Sequence, residues 1–226
     1  MTTTIQTTTS TLVAYVMQTG GSPSLLFRTS RGNLLFDCGS NVSLMDKLYA
    51  GGITGLKAAF ISALDDTHAG ACSRLFMSVP VSMVFDSMEG TNASWYKDYV
   101  FSLTSKRYNM SKSSYSEGGL RIDVLLRNRS ATFYRFTFGN FSLAYLGGCG
   151  RDCIGGYLNK SYGVYIVDDD VISDDLMVKY MPSGLIIPGY GNETVGIARK
   201  YGIQCHSMRK DGDMMFTSDG SSTKSG

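Results

Sequence analysis

The segment Ile61-Ser62-Ala63-Leu64-Asp65-Asp66-Thr67-His68-Ala69-Gly70-Ala71 joins an apolar run, Leu56 to Ile61, to a stretch in which Cys72, Leu75 and Phe76 recur at helical spacing. The first reads as a buried strand and the second as a helix, so the polar residues between them stand at a strand end. Two uses compete for them there. Asp65 and Asp66 suit the cap of a helix beginning near His68, their oxygens accepting its free N–H groups. Asp65 and His68 are equally the side-chain types that hold a divalent metal.

Toward the N-terminus the chain reads as a meander of short strands, Thr11 to Met17, Ser24 to Thr29 and Asn33 to Asp37, separated by Gly20-Gly21-Ser22-Pro23 and Ser30-Arg31-Gly32. Ser43 to Ala50 has helical periodicity and stops at Gly51-Gly52. Beyond the central segment, Ser82 to Phe85 reads as a strand, and the polar stretch Lys97 to Gly119 as a long surface loop or helical insertion. Strands follow at Leu120 to Leu126, Ala131 to Phe138 and Phe141 to Leu146, the last two joined by a tight Gly139-Asn140 turn. Strands at Val164 to Val167, Leu185 to Pro188, Ile203 to Met208 and Asp213 to Thr217 alternate with helices around Ser173 to Tyr180 and Asn192 to Tyr201. Each half runs from strands into mixed strand and helix, which predicts two sheets packed face to face between outer helices.

The 226 residues are enough for one sizeable core, and the apolar share of 43% is that of a globular chain. The expected organisation is a flexible leader over 1–10, one domain over 11–218 and a flexible tail over 219–226. A formal net charge of +2 gives no strong pull toward nucleic acid or anionic membrane. The longest apolar runs, such as Leu185 to Pro188, fall far short of the roughly 20 residues that span a bilayer. Met1 to Ser10, nearly all Thr and Ser, lacks the features of a secretory signal. The five cysteines, Cys38, Cys72, Cys149, Cys153 and Cys205, are odd in number and unevenly spaced, which argues against a disulfide framework and for a reducing, intracellular setting. One pattern points the other way. Seven of the eight asparagines (Asn41, Asn92, Asn109, Asn128, Asn140, Asn159 and Asn192) begin an Asn-x-Ser/Thr triplet. Chance gives roughly two such glycan acceptors, so a secretory route stays open.

Three segments together resemble the metallo-β-lactamase superfamily, most closely the hydrolase-like domain of ComEC-type DNA-uptake channels. Val16 to Ser22, Leu25 to Thr29 and Gly32 to Ser40 are similar to the family's opening hairpin, which ends in aspartate-x-glycine, here Asp37-Cys38-Gly39. Ile61 to Ala71 occupies the place of the His-x-His/Asp-x-Asp-His signature. Pro182 to Pro188, Tyr201-Gly202-Ile203 and Lys210 to Gly220 are similar to the closing strands. The resemblance implies an α/β fold, a four-layer αββα sandwich of two mixed sheets.

It also implies a metal site, and most of the donors are missing. Ala63 stands where the first histidine belongs and Thr67 where an aspartate belongs, while Asp65 and His68 keep suitable side chains. Cys149, in Gly147-Gly148-Cys149, replaces the bridging carboxylate, and a later histidine pair falls near Asp168-Asp169-Asp170. The metal candidates are thus Asp65, His68, Cys149 and Asp169, with Asp37 supporting their loop by hydrogen bonding. Against this, Asp37 is an ordinary turn former, Cys149 suits a tight glycine-rich turn, and the aspartate run suits a solvated strand end. With two histidines, one inside the degenerate motif, no serine-histidine-acid arrangement is expected.

The leading expectation is therefore a catalytically degenerate hydrolase that serves as a binding or structural module, with no cofactor and with an unidentified protein or nucleic-acid partner. The competing one is a metal-dependent phosphodiesterase or nuclease of ComEC type, using zinc or manganese at an atypical ligand set. A third resemblance, to the inactive subunit of the eukaryotic RNA 3′-end processing factor, implies a non-catalytic RNA-processing role.

Overall fold

The computed structural model describes residues 11–103, 106–110, 114–127, 132–147, 163–167, 174–189 and 191–226. Its strands form two sheets. Pairing in the first joins β1 (Leu12–Gln18), β2 (Pro23–Thr29), β3 (Gly32–Phe36), β4 (Ala58–Phe60), β5 (Met83–Asp86) and β6 (Lys106–Asn109), with β14 (Met214–Ser218) and β15 (Thr223–Ser225) added beside β1. The second holds β7 (Ser114–Glu117), β8 (Leu120–Arg127), β9 (Thr132–Phe138), β10 (Phe141–Gly147), β11 (Val164–Val167), β12 (Gly184–Ile187) and β13 (Gln204–Ser207) in chain order. Both are mixed: β1 to β3 and β7 to β10 run as antiparallel meanders, whereas β3 to β6 and β10 to β13 are parallel.

Strand alternation sorts side chains between two apolar surroundings. Leu12, Ala14 and Val16 of β1, Leu34 and Phe36 of β3, and Leu143 and Tyr145 of β10 meet between the sheets. Their neighbours Leu26, Leu35 and Ala59 face outward under α1 (Ser43–Ala50), α3 (Cys72–Ser78) and α4 (Ser94–Ser102). On the far side Phe133, Leu146 and Leu185 pack against α5 (Asp174–Tyr180) and α6 (Asn192–Lys200) through Met177 and Ala198. Both faces of the central strands are buried, so these strands read as near-continuous apolar runs. The layers are helix, sheet, sheet, helix, as expected.

The Gly139-Asn140 turn joins β9 to β10 in the expected place, and Gly139 takes φ +55° with the backbone of Gly220 against it, where a Cβ has no room. Three expectations are corrected. Within Lys97 to Gly119 the described residues include the end of α4 and then β6 and β7, an edge strand of each sheet. Residues 219–226 are no free tail, since Thr223–Ser225 pairs antiparallel with β14. Cys38 and Cys72 form a disulfide between fully buried positions 34 residues apart.

At the β5–β6 edge the sandwich splays. Met83 and Phe85, which face the other sheet, are less buried than Val84 and Asp86, which face the helices. A cavity of about 480 Å³ opens there among Phe60, Phe85, Tyr108, Tyr115 and Val124. Phe36, Phe60, Phe85 and Tyr108 occupy one register across four parallel strands and stack in turn at 4.5, 4.8 and 5.4 Å between ring centroids.

Candidate functional site

The ends of β3 and β4 bring the expected residues to one corner of the sandwich. Asp37 follows β3, and its N–H donates to the carbonyl of Phe60 at the end of β4. Asp37 itself takes φ 56°, rare for a residue with a side chain, and Gly39 follows at φ +68° with Thr19 pressed against the space a Cβ would fill. The Asp-x-Gly motif is thus a sharp backbone reversal that turns the carboxyl inward.

There Asp37 is fully buried. Its Oδ1 accepts from Ser62 N–H at 2.7 Å, and its Oδ2 from the hydroxyls of Ser62 at 2.5 Å and Tyr145 at 2.7 Å. Burial pushes its pKa up to about 6, against the opposing pull of the His68 charge and of these hydrogen bonds. Gly147, at the end of β10, closes on Ser62 so tightly that a Cβ would lie 2.6 Å from its Oγ.

Asp65 is the N-cap of the short helix α2 (Asp66–Ala69), its Oδ1 accepting from His68 N–H at 3.0 Å. The same oxygen accepts from the Thr67 hydroxyl at 2.8 Å and lies 2.6 Å from His68 Nδ1. The other ring nitrogen, Nε2, lies 2.9 Å from Ser22 Oγ in the turn between β1 and β2. Burial works to raise the Asp65 pKa, but the hydrogen bond and charge of His68 outweigh it, with Thr67 assisting, and hold it near about 2. The backbone fastens this segment to the Asp37 loop: Cys38 N–H donates to His68 O at 2.7 Å, Ala71 N–H to Gly39 O at 3.0 Å, and the Cys38–Cys72 disulfide spans the same two segments.

A serine-histidine-acid run therefore exists, Ser22–His68–Asp65, which corrects the expectation that none would. Its orientation does not suit nucleophilic attack, which needs the hydroxyl at the accessible end. Here Ser22 and His68 are 4% and 3% exposed while Asp65 is the exposed member. The run holds the imidazole in place.

The fold of this corner invites a comparison with a metal centre, and the described donors do not fit one. Ala63 is buried and has no donor atom, and Thr67 is turned to Asp65 and His68. Both His68 nitrogens already meet protein partners. Among the described residues, no three His, Cys, Asp or Glu side chains group so as to hold an ion. Cys149 and Asp169 lie outside the described residues. His206, on β13, has Nε2 2.8 Å from Gly212 O.

The sequence did not single out Ser22, Ser62 or Tyr145 for this site. Tyr145 had one legible signal, since its place on β10 faces between the sheets where a phenol needs a partner. Ser22 and Ser62 had none beyond a polar residue beside a glycine turn or a strand end.

No protein-family model matches the sequence, and no curated protein matches it. Solved structures do match in shape. The metallo-β-lactamase fold protein YhfI from Bacillus subtilis aligns with 90% of this chain and 98% of its own at a TM-score of 0.63 and 13% identity. Tm1679, described as a metal-dependent hydrolase of the β-lactamase superfamily, aligns over 89% and 98% at 0.58 and 10% identity. A diphosphatase from the PhnP family aligns over 88% and 95% at 0.53 and 12% identity. With two mixed sheets between helical layers and this corner at the strand ends, the chain has the metallo-β-lactamase fold.

Proposed function

We propose that this chain is a catalytically degenerate hydrolase of the metallo-β-lactamase type, acting as a binding or structural module. One observation carries the reading: the imidazole retained from the metal signature is buried and engaged at both nitrogens by Ser22 and Asp65. A ligand histidine instead presents one nitrogen to the metal and anchors the other. The apolar cavity at the β5–β6 edge gives a binding role a place to act.

The test is the metal content of protein purified without chelator, measured by elemental mass spectrometry beside a phosphodiester hydrolysis assay. Zinc and manganese well below stoichiometric and no hydrolysis are expected. Asp65→Ala should cost the roughly 0.5–2 kcal/mol of a lost helix cap in urea unfolding and change no activity. Near-stoichiometric metal that is lost in His68→Ala, together with hydrolysis, would establish the ComEC-like phosphodiesterase instead, with Asp65, His68, Cys149 and Asp169 as its ligand set.

A further inference from the structure

We propose that this chain matures in an oxidising, glycosylating compartment, with N-linked glycans on Asn41, Asn92, Asn109 and Asn192 and a closed Cys38–Cys72 bond. The excess of acceptor triplets in the sequence says only that sites are available. Whether a folded protein tolerates a bulky glycan depends on where each side chain lies.

The structure separates the asparagines by that criterion. Five of the seven triplet asparagines fall on described residues (Asn41, Asn92, Asn109, Asn140 and Asn192), and every one is exposed. They are dispersed over the surface: Asn41 before α1, Asn92 before α4, Asn109 at the end of edge strand β6, Asn140 in the β9–β10 turn and Asn192 at the start of α6. The asparagine without a triplet, Asn33, is half-buried and uses its Nδ2 structurally, donating to Gly55 O at 3.1 Å. At Asn41 the third residue of the triplet already meets the amide, since Ser43 N–H and hydroxyl donate to Asn41 Oδ1 at 3.0 and 2.5 Å. Asn140 differs, because its Nδ2 donates to Ser221 O at 3.3 Å and a glycan there would displace that bond. It is accordingly left out of the assigned set.

The disulfide is an independent observation with the same implication. Cys38 and Cys72 are fully buried and paired, and such bonds form and persist in oxidising compartments while cytosolic thiols are kept reduced. The other described cysteine, Cys205, is half-buried, and burial pushes its thiol up to about 11, away from ready oxidation.

In each transfer the asparagine Nδ2 attacks the anomeric carbon of an oligosaccharide carried on a polyprenyl pyrophosphate. The N–C bond forms as the C–O bond to the pyrophosphate breaks, the lipid pyrophosphate leaves and one amide proton passes to solvent. Closing the disulfide removes two protons and two electrons from the thiols, taken up by a disulfide-class oxidant that is itself reduced to a dithiol.

The experiment uses the protein isolated from its native cells. Intact mass is measured before and after peptide-N-glycosidase in heavy-oxygen water, with peptide mapping, and free thiols are alkylated before and after reduction. Expected results are a loss of mass on enzyme treatment, heavy aspartate at Asn41, Asn92, Asn109 and Asn192 with Asn33 unchanged, and Cys38 and Cys72 alkylated only after reduction. An unchanged mass with those four asparagines intact would overturn the glycans. Free Cys38 and Cys72 thiols in the native protein would overturn the oxidising compartment.

Discussion

Asp37 and Asp86 lie two strands apart in one sheet, at the ends of β3 and β5, and both are fully buried, yet the molecule accommodates them differently. Asp86 has a cation: Arg107 Nε donates to its Oδ2 at 2.8 Å, joined by the Tyr99 hydroxyl at 2.5 Å, and the guanidinium lies 6.0 and 5.7 Å from the rings of Tyr96 and Tyr99. That network ties α4 to β5 and β6. At Asp37 burial pushes the pKa up, and the charge of His68 with the uncharged donors of Ser62 and Tyr145 pulls it down by less, so its proton stays bound to about 6. Burial alone therefore does not set a carboxyl's role. A paired one ties α4 to β5 and β6, whereas one given neutral donors fastens the strand-end corner with its pKa pushed up by burial.

Breaking the paired carboxylate should have the largest effect. Arg107→Met leaves the Asp86 charge buried without its cation and should cost about 3–5 kcal/mol in urea unfolding at neutral pH. A loss below about 1 kcal/mol would place Arg107 among ordinary surface pairs and end the contrast.

Asp37 should appear in the pH dependence of stability. Its folded pKa of about 6 lies above the ordinary carboxyl value of 3.8, so its contribution is full below the unfolded pKa and is lost as pH rises through the folded one. Stability should fall by about 3 kcal/mol between about pH 4 and about pH 6 from this group, and Asp37→Asn should remove that slope. Equal slopes in the two proteins would show that Asp37 titrates normally.

Tyr145→Phe is the finest of the three tests. It removes one donor and keeps the ring, so about 1–2 kcal/mol should be lost at neutral pH, with the Asp37 transition moving to higher pH. A transition moving to lower pH would mean that Tyr145 stabilises the protonated form.

The corner itself was half legible. Asp65, His68 and Asp37 could be named because Ile61 to Ala71 and Asp37-Cys38-Gly39 resemble short family signatures, and because the cap at Asp65 is written in adjacent residues. That His68 would be engaged by Ser22 could not, because the two are 46 positions apart. The expectation of no serine-histidine-acid run weighed how many histidines there were, when what mattered was which turn the β1–β2 hairpin would lay against α2.

By itself, the sequence determined the strands with two apolar faces, the Gly139-Asn140 hairpin, the helix cap at Asp65 and hence a layered α/β sandwich, all patterns set by local sterics and side-chain period. Only the tertiary structure decided the pairing of Cys38 with Cys72, the contact of Tyr145 with Asp37 across 108 positions, the use of Lys106–Asn109, Ser114–Glu117 and Thr223–Ser225 as edge strands, and which of the described asparagines face solvent. Those outcomes depend on how two packed sheets bring distant segments together, and no local pattern encodes a distance of 5.2 Å between the Cα atoms of two cysteines.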